Sequence, residues 1–149
     1  MAETERVTIG ISWEKDLIFK LDFKGIPNVP ELHVDDTNKI LDEMVGVSPA
    51  RLLASAVAGC LSSSFLFCIS KRNVQLDEFT AEAEAILGRN NEGRLRVLEI
   101  TVNLIPFSSD PAVTKRLTEC KKVFEKFCTI TESVRNGIKV TVNVNTNSG

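Results

Sequence analysis

The sequence predicts an α+β chain in which antiparallel sheets pack on a long buried central helix and a second helix. Three observations predict it. The stretch from Leu52 to Ile69 is apolar or small on every side, so as a helix it has no wet face and needs cover all round. Five other stretches alternate apolar and polar residues with the period of half-buried strands. A later stretch opening at Asp110 carries its apolar residues at helical spacing, on one stripe.

The elements follow in order. Arg6 to Trp13 places Val7, Ile9, Ile11 and Trp13 on one face of a strand. Leu17 to Phe23 alternates again and pairs with it across the Glu14-Lys15-Asp16 turn. Leu32-His33-Val34 is short enough for a third, minor strand. Asp35 to Val45 reads either as a short helix, from the spacing of Ile40, Leu41, Met44 and Val45, or as a loop lying over a site. Ser48 and Pro49 open the central helix as N-cap and first residue, and it runs to about Asn73.

Glu78 to Leu87 is a strand with Phe79, Ala81, Ala83, Ala85 and Leu87 on one face, the small alanines suiting close packing on a helix. Asn90-Asn91-Glu92-Gly93 turns it into a partner strand, Arg94 to Ile105, which Pro106 stops. Asp110-Pro111 opens the second helix, with Val113, Leu117, Cys120, Val123 or Phe124, and Phe127 along its stripe. A further turn covers Thr131 to Val134, Asn136-Gly137 ends it, and Ile138 to Val144 is a last alternating strand.

At 149 residues the expectation is one domain, 1–149, large enough to bury a core. Apolar content of 43% and a net charge of −2 point to a globular protein with no nucleic-acid partner. No charged-then-apolar leader opens the chain, so a cytoplasmic protein is expected. Leu52 to Ile69 is at the lower end of membrane-spanning length, and Ser55, Ser62, Ser63 and Ser64 interrupt it. It therefore reads as a core helix, with no membrane partner. A core helix apolar all round is hard to wrap with so short a chain, and a homodimer supplies the missing cover.

Chemistry rests on four cysteines. There is no Cys-x-x-Cys, and His33 is the single histidine, so no metal site is expected. Cys60 lies about three turns into the central helix, beyond the reach of its dipole. A reactive thiolate there needs a nearby cation, and the plainer reading of Cys60 is a small buried hydrophobe. Cys68 follows it by eight positions, about 12 Å along a helix axis, too far for a disulfide between them. Cys120 stands in the same relation to Cys128 if the second helix runs that far. Cys68 and Cys120 read as core fillers.

Gly46-Val47-Ser48-Pro49, Leu52-Leu53-Ala54 and Ala58-Gly59-Cys60 together resemble the signature of the OsmC/Ohr family of thiol peroxidases, osmotically inducible protein C and organic hydroperoxide resistance proteins. Phe127-Cys128, followed by Asn136-Gly137-Ile138-Lys139-Val140, is similar to the family's second motif. The resemblance implies an OsmC-like fold and an intertwined homodimer with sites at the interface. Cys60 would be the peroxidatic cysteine and Cys128 the resolving one. A hydroperoxide would leave a sulfenic acid on Cys60, Cys128 would condense with it, and a dithiol such as a lipoylated protein would reduce the disulfide. No cofactor is implied.

The chain departs from the pattern at one place. Better-known members carry a glutamate after the helix-opening proline, paired with an arginine from the preceding loop. Here the position is Ala50, and no arginine lies between Arg6 and Arg51. Lys39 and Arg51 are the candidate activating cations, although lysine lacks the planar fork of guanidinium. Two other readings stand beside the peroxidase: a non-catalytic dimer binding a small apolar ligand, and a redox-sensing thiol protein.

Overall fold

Asp16 turns the chain at a positive φ of 47°, and its carbonyl accepts the Trp13 indole N–H at 2.9 Å. That turn joins β1 (Gly10–Lys15) to β2 (Ile18–Asp22), antiparallel with Gly10 opposite Asp22 and Trp13 opposite Phe19. β3 (His33–Asp35) pairs antiparallel on the other side of β2, giving the order β1-β2-β3. The computed structural model describes residues 4–71 and 76–146 of this α+β chain. They form two compact units: the chain up to Ala54 with Ala85–Glu99, and Ser55–Glu84 with the chain from Ile100 on.

In the first unit Ile18 and Leu21 of β2 are buried, while Ile11 and Trp13 of β1 stay exposed. The predicted apolar face of β1 is therefore uncovered within the chain, and its ladder starts at Gly10 rather than Arg6. The segment after β3 is a loop with one 3-10 turn, Leu41–Glu43, not a helix. Asp35 holds it. This fully buried carboxylate accepts hydrogen bonds from the Thr37 hydroxyl (2.5 Å), the Thr37 N–H (3.0 Å) and the Val45 N–H (3.0 Å). Those bonds, the Thr37 hydroxyl first, keep its pKa below the ordinary carboxylate value.

The loop then returns to β3. Val47 bridges Val34 in parallel, donating to His33 O at 2.9 Å and accepting from Asp35 N at 3.1 Å. A Cβ on Gly46 would run into the His33 carbonyl. Only glycine lets the strand come this close, which gives the first residue of the Gly46–Pro49 motif its reason.

α1 (Pro49–Ser70) starts as predicted: Ser48 Oγ accepts the Arg51 N–H at 3.3 Å. The helix buries one stripe, Ala54, Val57, Leu61, Phe65 and Ile69, at helical spacing. The expectation of cover all round is not met within the chain: Leu53, Leu66 and Phe67 are exposed, Phe67 by 64%. By length and composition α1 could cross a membrane, but its buried stripe is that of a core helix. Its predicted continuation to Asn73 falls outside the described residues.

β4 (Glu78–Arg89) and β5 (Leu95–Phe107) form the predicted hairpin, turned at Asn90 and at Gly93, whose φ is 76°. The Asn90 side-chain oxygen accepts the N–H groups of Glu92 and Arg94, both at 3.0 Å. Pro106 does not stop β5. The sheet has two strands, so a proline can sit where no ladder hydrogen bond is required of it.

In the second unit Ile100, Val102 and Leu104 of β5 pack on the α1 stripe. α2 (Pro111–Lys121) is capped by Asp110, which accepts the Ala112 N–H at 2.9 Å. It ends at Lys121, six residues short of the predicted stripe. A 3-10 turn (Phe124–Phe127) follows, which sets Phe124 edge-on against Phe65 with ring centroids 5.1 Å apart and leaves Phe127 exposed. α3 (Thr129–Asn136) closes at Gly137, φ 79°.

The predicted last strand joins no ladder among the described residues, and Ile138, Val140, Val142 and Val144 are exposed. Alternation gives a segment the capacity to be a strand, but a strand exists only beside a partner. Gly46→Ala is expected to destabilise the fold by about 1–3 kcal/mol, the range for forced overpacking, read as a lower midpoint in chemical denaturation.

Candidate active site

Cys60 lies in the middle of α1, one residue before the buried Leu61. Cys128 is fully buried at the junction of the 3-10 turn and α3. The chain places it there by ending one turn and starting the next on the same residue. The Cys128 N–H donates to Glu125 O at 3.0 Å, and its own carbonyl accepts the Glu132 N–H at 3.1 Å. Cys128 thus occupies the N-cap of α3, where helix N–H groups lack partners within the helix. Its neighbours in the core are Val57 and Leu61, with Cys60, Ile100, Val102, Leu104 and Phe124 beside them. Both cysteines are free thiols, and their sulfurs lie within hydrogen-bonding reach of each other.

The start of α3 supplies the polar contacts of both sulfurs. The Ile130 N–H donates to Cys60 Sγ at 3.5 Å, and Cys128 Sγ lies 3.0 Å from Thr131 Oγ1, itself buried. The two thiols respond in opposite directions. Burial first, then the hydrogen bond with Cys128, pushes the Cys60 thiol up. Burial also pushes on Cys128, but it is outweighed by hydrogen bonds from Cys60, from the Thr131 hydroxyl and N–H, and from Ser64, and the net direction is down. The first negative charge of the pair therefore sits on Cys128, at the positive end of a helix.

The candidate cations belong to the first unit. Lys39 is in the loop after β3, where its charge favours the Asp35 carboxylate. Arg51 is in the first turn of α1, with a guanidinium N–H 3.5 Å from Ser48 Oγ. The largest influences on the Cys60 thiol come from burial, from Cys128 and from the backbone of Ile130 and Thr131. His33 pairs with Glu14 at 3.1 Å and with Glu31 at 3.7 Å, a surface ion cluster that also takes in Lys20.

Cys68 and Cys120 are not independent core fillers. They are joined by a disulfide between the last turns of α1 and α2, with Cα atoms 5.9 Å apart. Sequence reasoning missed this bridge and the role of Thr131. The available signal for the bridge was the matched spacing of the two cysteine pairs. Thr131 offered only its place three residues after Cys128, where an N-cap side chain finds its partners.

The family model of OsmC-like proteins matches residues 41–143, the span that contains both thiols and the whole of α1. None of the curated proteins matches the sequence significantly. Among solved structures, the OsmC-like protein from Mycoplasma pneumoniae superposes with a TM-score of 0.72 at 13% identity, covering 89% of each chain. An OsmC-like protein of unknown function from Vibrio cholerae gives 0.69 at 15% identity, over 87% of this chain and 94% of that one. The organic hydroperoxide resistance protein OhrB of Bacillus subtilis gives 0.62 at 15% identity, over 88% and 91%. At these identities the structures speak for the fold, and the matched span speaks for descent: the chain belongs to the OsmC-like protein family.

Proposed function

We propose that this protein is a cytoplasmic thiol peroxidase that reduces organic hydroperoxides, with hydrogen peroxide as a second substrate, through Cys60 and Cys128. The observation that carries the reading is the meeting of two free thiols from distant parts of the chain at the start of α3. The likeness in fold to a protein named for organic hydroperoxide resistance supports it. The surrounding Val57, Leu61, Val102 and Leu104 suit an apolar peroxide.

The arrangement suggests how the chemistry runs without the family's arginine. Once the pair ionises, its first charge falls on Cys128 and the remaining proton stays on Cys60. Cys60 sulfur attacks the terminal peroxide oxygen as its proton passes to Cys128. The O–O bond breaks, the departing alkoxide takes that proton and leaves as alcohol, and Cys60 becomes a sulfenic acid. The Cys128 thiolate then attacks the sulfenic sulfur, expelling hydroxide and forming the disulfide. An external dithiol restores both thiols by exchange. Arg51 and Lys39 are proposed as cations that assist, and glutamine at either position should then slow turnover.

The decisive assay is peroxide consumption by the reduced protein with a dithiol, comparing cumene hydroperoxide with hydrogen peroxide. Cys60→Ser should reduce turnover to the uncatalysed background. Cys128→Ser should leave a sulfenic acid on Cys60 that a dimedone probe labels. Full activity in both variants would overturn the assignment. Disulfide formation without repeated turnover would favour the redox-sensing reading, and tight apolar-ligand binding untouched by Cys60→Ser the non-catalytic one.

Thr131→Val removes the hydroxyl that favours the Cys128 thiolate. The thiolate absorbance should then appear at a higher pH. Turnover, which rises with pH as the first thiol ionises, should shift upward with it.

The same reading includes a homodimer. The exposed side of α1 and the apolar segment from Ile138 to Val144 are the surfaces a second copy would cover. Sedimentation equilibrium should give twice the chain mass.

A further inference from the structure

The Cys68–Cys120 bridge has surroundings that a mere staple does not need. Arg116, four residues before Cys120 on α2, lays its guanidinium against the bridge. One terminal nitrogen donates to Cys68 O at 2.7 Å and lies 3.8 Å from Cys68 Sγ. The other donates to Glu119 at 3.2 Å. The side chain is only 15% exposed, and its Nε–H is buried with no hydrogen-bond partner among the described residues. An unpartnered N–H on a desolvated cation is costly. A negative charge on Cys68 would stand beside this guanidinium, whose terminal nitrogen already lies 3.8 Å from Cys68 Sγ, and such a charge exists only when the bridge is open.

The two sulfurs are also unequal. Cys120 has no exposure and is packed with Phe65 and Ile69, whereas Cys68 is half-buried. An incoming thiolate therefore has one sulfur to attack. Eight residues of α1, about 12 Å, separate Cys68 from Cys60, so the two pairs cannot exchange directly.

We infer that Cys68–Cys120 is a second thiol–disulfide exchange site, taking small dithiols and their cyclic disulfides, in which Arg116 holds Cys68 as the thiolate when the bridge is open. In the reducing direction one thiolate of the dithiol attacks Cys68 Sγ, the Cys68–Cys120 bond breaks, and the Cys120 sulfur takes up a proton. The dithiol's second thiolate attacks its own sulfur in the mixed disulfide and expels the Cys68 thiolate beside Arg116. Two electrons enter the bridge, the dithiol becomes a cyclic disulfide, and of its two protons one stays on Cys120 and one goes to solvent. The cyclic disulfide runs the steps in reverse.

The test uses the full-length protein equilibrated, without denaturant, in mixtures of reduced and oxidised dithiothreitol, quenched by alkylation and read peptide by peptide. Both cysteine pairs are scored in the same spectra, so the outcome at Cys60 and Cys128 does not decide this one. The bridge should open and close reversibly, with Cys68 alkylated at least about 10-fold faster than Cys120, as the exposure difference requires. Arg116→Gln should lower the equilibrium constant for opening by about 10-fold, one unit of lost thiolate stabilisation, and Arg116→Lys should recover part of it. A bridge that opens only in denaturant, thiols that stay unbridged at every ratio, or an opening constant unmoved by Arg116→Gln would each overturn the inference. If Arg116→Gln does not fold, the pH dependence of Cys68 alkylation in the unaltered protein decides. A midpoint below the ordinary thiol value of about 8.5 supports the site, and one at or above it rejects it.

Discussion

The second unit depends on one stripe of α1. Val57, Leu61, Phe65 and Ile69 follow one another at four-residue steps and are all buried. Four residues is slightly more than one helical turn, so the stripe drifts slowly and stays facing one neighbour over its whole length. That neighbour is β5 together with the chain from α2 to α3. Because the stripe fixes which side of α1 is inside, it also fixes where Cys60 and Cys68 can look. Each meets a cysteine of the other segment, and the pairs are nested, with the later cysteine on α1 joined to the earlier one opposite. This is the pattern of two rungs on antiparallel segments.

The rungs share a geometry and differ in electrostatics. Cys60 and Cys128 are held by neutral groups, the N–H groups at the start of α3 and the Thr131 hydroxyl, and by each other. Cys68 faces a full positive charge. A helix N-terminus acts as roughly half an elementary charge and fades within a turn. A buried guanidinium carries a whole one, together with a desolvation penalty. Neutral donors can stabilise one thiolate of a close pair, but the same charge then repels a second. Hence the opposite directions of Cys60 and Cys128.

Much of this was legible in the residues. Helical and two-residue periods located β2, α1, β4, β5 and the start of α2, and serine–proline and aspartate–proline marked both helix starts. The misreadings have physical causes. The Phe124–Phe127 stripe looked like a continuation of α2 because a 3-10 turn keeps nearly the same spacing over so few residues. The loop after β3 has the apolar spacing of a short helix but is held as a loop by the Asp35 carboxylate, through bonds to Thr37 and Val45 that leave no trace in hydropathy. Ile138 to Val144 alternates as a strand does, yet pairing is a property of two segments and one sequence pattern states only half of it. The motif gave both thiols of the candidate site. What it could not give is the side that carries the charge, since that turns on Thr131 and the N-cap geometry.

The loss of the family's acid and arginine pair need not mean loss of chemistry. A guanidinium beside a peroxidatic sulfur stabilises its thiolate, but it also has to be kept charged among apolar walls, which is what its acidic partner is for. With Ala50 in place of that acid, a buried arginine would stand uncompensated. A hydrogen-bonded thiol pair avoids the problem, because the charge introduced into the core is a single negative one and its donors are dipoles already fixed by folding. The arrangement has its own demand. The more accessible sulfur, Cys60, is the one whose thiol is pushed up, so in the proposed peroxidase attack and proton transfer to Cys128 have to occur together. In that reading reactivity depends on the contact between the two sulfurs more than on any cation. That contact is set by the α1 stripe on one side and by the residue that starts α3 on the other.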